Sequence, residues 1–244
     1  MGRGEARAVR RRSLLLLAAG LIAAGCGAGR GTEREGEGGG MDLSTADEAL
    51  LGAARDGDAE AVADALADGA RIEARDGEER TALLLAADGD RVEAARTLVG
   101  AGADVNAVDR RSDTPFLVTG VTGSTEMLDV LLEADPGPDT ALTNRFGGTA
   151  VIPACERGHA DYVREVLRRT DVDVDHVNDL GWTGLLEAVI LGDGGPDHQE
   201  VVRVLLDAGA DPDLADRDGT TPLDHAESSG ADEIARILRD AGAK

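Results

Sequence analysis

Aromatic side chains are nearly missing from this 244-residue chain, which has two Phe, one Tyr and one Trp, 2% of the total. A core built on ring packing is therefore excluded. The 42% of hydrophobic residues are chiefly Ala, Leu and Val, which suit close helix packing better than strands that want β-branched and aromatic side chains. An all-α fold is expected. Cysteine is as scarce: Cys26 and Cys155 stand alone and cannot supply a disulfide framework or a four-ligand zinc site. Positive charge is short too, with 25 Lys and Arg against 48 Asp and Glu for a net charge of −23. That balance opposes binding to phosphate backbones and anionic headgroups, so nucleic acid is not an expected partner. The main apolar run, positions 13–24, is too short for a helix that must cross a bilayer with about 20 residues.

What stands around that run gives it a different meaning. Arg3, Arg7, Arg10, Arg11 and Arg12 precede it, so residues 1–25 read as a signal peptide with a basic start and a short apolar centre. The run ends Leu21-Ile22-Ala23-Ala24-Gly25-Cys26, which resembles the bacterial lipobox, with Ala23 where that motif usually has Leu. The resemblance implies acylation of Cys26, export, and a lipid anchor as the only contact with the membrane. Arg11-Arg12-Ser13-Leu14-Leu15 also looks like a twin-arginine export motif. Residues 26–43 then form a tether: seven of the fourteen residues at 27–40 are Gly, with Glu33, Glu35 and Glu37 among the rest. Such a chain buries too little to order itself and spans about 20 Å. A start at Met41 would instead give a cytoplasmic adaptor.

From residue 44 onward the text repeats. Small-residue pairs recur at Ala53-Ala54, Ala86-Ala87, Thr119-Gly120, Ala154-Cys155, Ala188-Val189 and Ala226-Glu227, at spacings of 33, 33, 35, 34 and 38. Five residues before each later pair stands a Thr: Thr81, Thr114, Thr149, Thr183 and Thr221. A Thr there can cap a first helix, and the small pair lets helices approach closely. Gly-Ala at 69, 102, 209 and 242 ends the second helices, where a left-handed residue is required. Residues 192–196 account for the longest spacing and bulge between the helices of the fifth unit, with helical text resuming at Gln199.

The period, Thr221-Pro222-Leu223 and Gly102-Ala103-Asp104-Val105-Asn106 together resemble the ankyrin repeat. The resemblance implies a solenoid of about six helix-turn-helix repeats over residues 44–244, joined by hairpin-like loops, with the first and last repeats as caps. It also implies a monomeric protein-binding module without catalytic apparatus or cofactor. In that family the residues just before the Thr lie on the hairpin tip, which places Phe146, Leu180 and Trp182 together as a partner-binding cluster on repeats 4 and 5. Arg110, Arg111 and Arg145 would border it as a basic rim able to steer an acidic partner. Phe116 and Tyr162 face neighbouring helices instead.

Other chemistry is weighed against simpler roles. Cys155 fills a small-pair position and reads as a buried, inert thiol. His159 starts a second helix, where the resemblance implies a structural role, and His176, His198 and His225 lack ligand spacing. Asp171, Asp173 and Asp175 alternate as a calcium loop would, but His176 and Trp182 stand where the sharp turn and the bidentate ligand are needed. An enzymatic alternative would place paired acids, such as Asp193 and Asp197, at the inserted loop. With 7 of the 25 basic and 4 of the 48 acidic residues in positions 1–40, 18 against 44 remain, a net charge of −26 on residues 41–244. This excess reads as the habit of an exported, soluble solenoid, with a docking surface for a basic partner as its alternative.

Overall fold

The computed structural model describes residues 43–244. The expected signal peptide, Cys26 and the tether up to residue 42 lie outside the described residues. Among those described there are twelve helices and no strand, paired as six repeats. The first helices are α1 (Thr45–Asp56), α3 (Ala82–Asp88), α5 (Pro115–Thr122), α7 (Val151–Arg157), α9 (Gly184–Ile190) and α11 (Pro222–Ser229). The second helices are α2 (Ala59–Ala67), α4 (Val92–Gly100), α6 (Thr125–Leu132), α8 (Ala160–Arg169), α10 (Pro196–Asp207) and α12 (Asp232–Asp240). Each first helix packs on the next first helix and each second on the next second, giving two layers with one continuous aliphatic core between them. None of these helices is long and apolar enough to cross a membrane.

Four of the five Thr residues cap as expected. The hydroxyls of Thr81, Thr114, Thr183 and Thr221 accept from the backbone N–H three residues on, at 3.2–3.3 Å. Thr149 does not, and the reason is Pro153. In the other four units the residue four places after the Thr donates its N–H to the Thr carbonyl; Pro153 has none. Ile152 N–H takes that carbonyl instead at 3.2 Å, and the buried Thr149 Oγ1 is left without a partner. The first repeat starts on Ser44, whose side chain forms a capping box with Asp47. Asp47 is buried and also accepts from the backbone and guanidinium of Arg71, with the closest side-chain contact at 2.7 Å. Those bonds, the Arg71 side chain foremost, hold its carboxyl well below the usual carboxylate range.

The small pairs set the spacing between first helices. At Gly120 a Cβ would stand 1.9 Å from the Ala150 carbonyl oxygen, so any side chain there would force the third and fourth repeats apart. Phe116 and Tyr162 are buried as expected, and the Tyr162 hydroxyl lies 2.6 Å from Thr119 Oγ1.

Each repeat after the first opens with a five-residue finger, at 76–80, 109–113, 144–148, 178–182 and 216–220. Its first residue is Asp or Asn, and one side-chain oxygen accepts from the N–H groups two and four residues on in every finger. Neighbouring fingers join through backbone bonds: Arg110 N–H to Glu78 O, Arg145 N–H to Arg111 O, and Asp179 N–H to Phe146 O, at 2.9–3.2 Å. A second ladder runs along the loops after the second helices. Glu73 accepts from Asp104 N–H, Asn106 from Asp139 N–H, Asp175 from Asp211 N–H and Asp213 from Lys244 N–H, at 2.7–3.0 Å. Much of the acidic excess thus satisfies backbone donors, a role that composition alone does not disclose.

The insertion is smaller than expected. Helix α10 resumes at Pro196, three residues before Gln199, because Gly195 and Pro196 make a serviceable N-terminus. His198 then lies 2.9 Å from Asp193 Oδ1 and 2.9 Å from the Glu156 carbonyl oxygen. His159 approaches the Val121 carbonyl in the same way at 3.2 Å, and Arg91 Nε donates to the Arg55 carbonyl at 3.3 Å. In three repeats, then, a side chain at the start of the second helix satisfies the free carbonyl end of the preceding first helix.

Candidate functional site

The exposed large apolar side chains among the described residues are Val108, Val121, Phe146, Val177, Leu180 and Leu191. Phe146 and Leu180 lie on fingers, Val108 and Val177 directly before fingers, and Val121 and Leu191 at the ends of first helices α5 and α9; the second helices contribute none. Phe146 is 47% exposed and Leu180 55%, and the bond from Asp179 N–H to Phe146 O sets their two fingers side by side. Trp182 is half-buried, its backbone held by Asn178. Phe146 and Leu180 thus stand open on adjacent fingers, with Trp182 partly covered.

Side chains interlock across the fingers. At Gly147 a Cβ would meet Asp179 Oδ1 at 2.7 Å, and at Gly181 it would meet Arg217 Cγ at 2.5 Å. Both glycines also have positive φ, 70° and 86°, so backbone and space together require Gly there.

The three arginines expected as a basic rim are engaged. Arg110 Nε lies 3.4 Å from Glu79, Arg111 NH2 lies 2.7 Å from Asp113, and the Arg145 guanidinium sits 4.6 Å above the Phe146 ring. Arg111 is also within 3.9 Å of Asp109, whose side chain is 1% exposed and whose Oδ2 has no hydrogen-bond partner. Burial raises the Asp113 pKa even with Arg111 against it. Two carboxylates thus compete for one guanidinium, and the field of Arg110 and Arg111 is compensated locally.

Below the fourth finger lies a group the sequence reading did not single out. Glu187, on α9, is 4% exposed, and its Oε1 accepts from Asn178 Nδ2 at 2.7 Å. Burial pushes its carboxyl up to about 7, and the carboxylate of Glu156 on α7 adds to the shift. Repeat 6 uses the same two positions differently, placing His225 Nε2 2.8 Å from Asp216 Oδ2. The available signal was an Asn or Asp five residues before each Thr, joined in repeats 5 and 6 alone by a polar residue four after it, Glu187 and His225. Cys155 beside this group is buried, and burial, reinforced by Glu187, raises its thiol pKa. It is an inert packing thiol.

The remaining candidates have structural duties. Asp193 accepts from Gly195 N–H at 2.8 Å and faces His198, and these bonds lower its pKa; Asp197 instead lines an open cavity of about 400 Å³ with Gly158, His159 and Glu200. Asp171 accepts from the Thr140 hydroxyl at 2.5 Å, Asp173 from Asp175 N–H, and Asp175 from Asp211 N–H. No three His, Cys, Asp or Glu side chains gather as metal ligands among the described residues.

Comparisons agree with this architecture. The family model for ankyrin repeats in three copies matches residues 116–216 and 173–244, and the single-repeat model matches 78–110. A putative ankyrin repeat protein of Escherichia coli K12, YahD, is 39% identical over 191 residues, covering 78% of this chain and 94% of its own. The crystal structure of an ankyrin repeat domain from Acinetobacter baumannii AYE superposes with a TM-score of 0.74 at 47% identity, covering 80% of this chain and 98% of that one. The ankyrin repeat domain of Bcl-3, a member of the IkappaB protein family, gives a TM-score of 0.71 at 27% identity, covering 80% and 86%.

Proposed function

Because the chain belongs to the ankyrin-repeat family, we propose that it is a non-catalytic protein-binding module that engages its partner through the fingers of repeats 3 to 5. The observation that carries this reading is that four of the six exposed large apolar side chains among the described residues, Val108, Phe146, Val177 and Leu180, lie on these fingers or directly before them. Scattered apolar residues are ordinary on a protein surface; a concentration of them along three consecutive fingers marks an interaction face. Phe146, Leu180 and Trp182 form its centre and Arg110, Arg111 and Arg145 its border. Aromatic anchors of this kind carry a large share of binding energy. The test is the double substitution Phe146→Ala and Trp182→Ala. Capture of a crosslinked, stoichiometric partner should be abolished while the melting temperature stays nearly unchanged; a large loss of stability with capture intact would show that the two rings pack and do not bind.

The module is proposed to be exported and anchored through lipid on Cys26. The basic start, the apolar run and the small residues before Cys26 support this, and paired acyl chains would hold where one would not. Membrane fractionation and intact mass test it: Cys26→Ser should release the protein and remove the mass of the lipid. An unchanged mass and distribution would refute the anchor, and a mass beginning at Met41 would identify the adaptor form.

A further inference from the structure

The expectation of a basic rim pointed to an acidic partner, whereas the side-chain geometry points the other way. Arg110 and Arg111 are paired with Glu79 and Asp113, and Arg145 lies over Phe146. By contrast, Glu156 and Glu187 have no cation within 4 Å among the described residues, and neither has Asp179 beside Leu180. The acids connect physically to the apolar tips. Asn178 holds the Leu180 N–H through Oδ1 at 3.0 Å and Glu187 through Nδ2 at 2.7 Å, and Glu187 in turn feels Glu156 on the adjoining helix. The repeat region around this strip carries −26.

We propose that the strip from Phe146 and Leu180 on the finger tips to Glu156 and Glu187 on the first helices receives a polypeptide segment in which basic side chains neighbour apolar ones. The apolar residues rest on Phe146 and Leu180, and a Lys or Arg reaches the exposed Glu156, with the buried Glu187 behind it. Glu156 on α7 and Glu187 on the adjoining α9 repel each other with no cation within 4 Å of either among the described residues, and an incoming ammonium or guanidinium offsets that repulsion. An acidic segment would meet Glu156 and Asp179 in a repeat region of net charge −26; among the described residues, the nearby arginines without an ion pair are Arg145, which lies over Phe146, Arg157, and Arg217, whose stem lies across Gly181. This inference rests on the proposed function and adds the chemistry of the partner.

The test uses the full chain and its single Trp, Trp182, as the fluorescence reporter within the strip. Two probes with the same apolar spacing are titrated, one a peptide of alternating Leu and Lys and the other of alternating Leu and Glu. The Leu-Lys peptide should shift Trp182 emission and bind at least about tenfold tighter than the Leu-Glu peptide, the advantage shrinking with added salt. Glu156→Gln and Glu187→Gln should each weaken it several-fold, and Phe146→Ala with Leu180→Ala should weaken both peptides. Glu156 is exposed, so its variant reads the charge effect without a folding defect. Equal or tighter binding of the Leu-Glu peptide, or undiminished Leu-Lys binding in both Gln variants, overturns the inference while leaving the recognition surface standing. If neither peptide perturbs Trp182, the surface reading and this inference fall together.

Discussion

At the scale of one residue, Glu187 is a buried acid whose charge opposes the stability of the fold. Its carboxyl titrates at about 7 in the folded protein because burial disfavours the charge and Glu156 reinforces that; in the unfolded chain it returns to about 4.3. Between these values the folded protein holds a proton that the unfolded chain has released, so this group makes stability fall as pH rises, and the full cost is present above pH 7. The difference corresponds to at most about 4 kcal/mol. Glu187→Gln keeps an acceptor for Asn178 and removes the charge, so chemical denaturation should find the variant matching the parent near pH 4 and gaining steadily up to pH 8. A pH-independent difference would assign the effect to packing. Thr149 offers a second residue-scale test. Pro153→Ala would restore the N–H that the Thr149 carbonyl lacks, freeing Ile152 N–H for the buried Thr149 Oγ1. An orphaned buried oxygen costs about 1–3 kcal/mol, against about 0.4–1 kcal/mol for the proline's restriction of the unfolded chain. A net gain of about 1 kcal/mol in denaturant is expected; any loss would mean that the proline matters more to the folded helix than the missing bond.

At the scale of elements, the finger is the unit the sequence disclosed least. The helices were legible because their signals are periodic: Thr caps, small pairs and Gly after the second helix each recur, and Phe116 and Tyr162 sit in register with buried positions. Finger contacts depend on side chains meeting across repeats, which no single unit spells out. That Arg110 meets Glu79 follows from stacking, Arg111 meets Asp113 within its own finger, and the failure of Thr149 follows from a proline four places away. The inserted loop was located correctly but drawn too long, since Pro196 reads as a breaker and serves as a helix start. The fingers also carry their own prediction. The fourth finger residue has positive φ in all five, and it is Gly147, Gly181 and Gly219 in three but Glu79 and Ser112 in the others. A non-Gly residue there costs about 1 kcal/mol. Ser112→Gly should therefore stabilise by about that amount in denaturant melts, and Gly181→Ala should destabilise by more, since its Cβ would also meet Arg217. Equal effects of opposite sign would show that backbone conformation alone decides.

For the whole molecule, the two-layer stack fixes how damage spreads. Each repeat touches chiefly its neighbours, so stability is close to a sum of units and interfaces, and an end repeat must present a polar outer side. Ending the chain after Asp216 removes α11 and α12, with buried Leu223, Ala226, Ile234, Ile237 and Leu238, and uncovers the sides of α9 and α10 on which they pack. Ion pairs such as Arg203 with Glu233, 3.5 Å apart, would be lost as well, but exposed pairs contribute only about 0–1 kcal/mol. Each aliphatic side chain returned to water costs about 1.5–3 kcal/mol, so three or four of them approach the 5–15 kcal/mol that holds a domain together. The loss should fall first on repeat 5, where Leu205 and Val202 are fully buried, and reach repeats 2 and 3 last. Hydrogen exchange should show protection lost in α9 and α10 and retained in α3 and α5, with increased dye binding and Trp182 emission shifted to the red. A truncated protein with the parent's melting curve and uniform protection would contradict the nearest-neighbour account, as would one that unfolds everywhere at once.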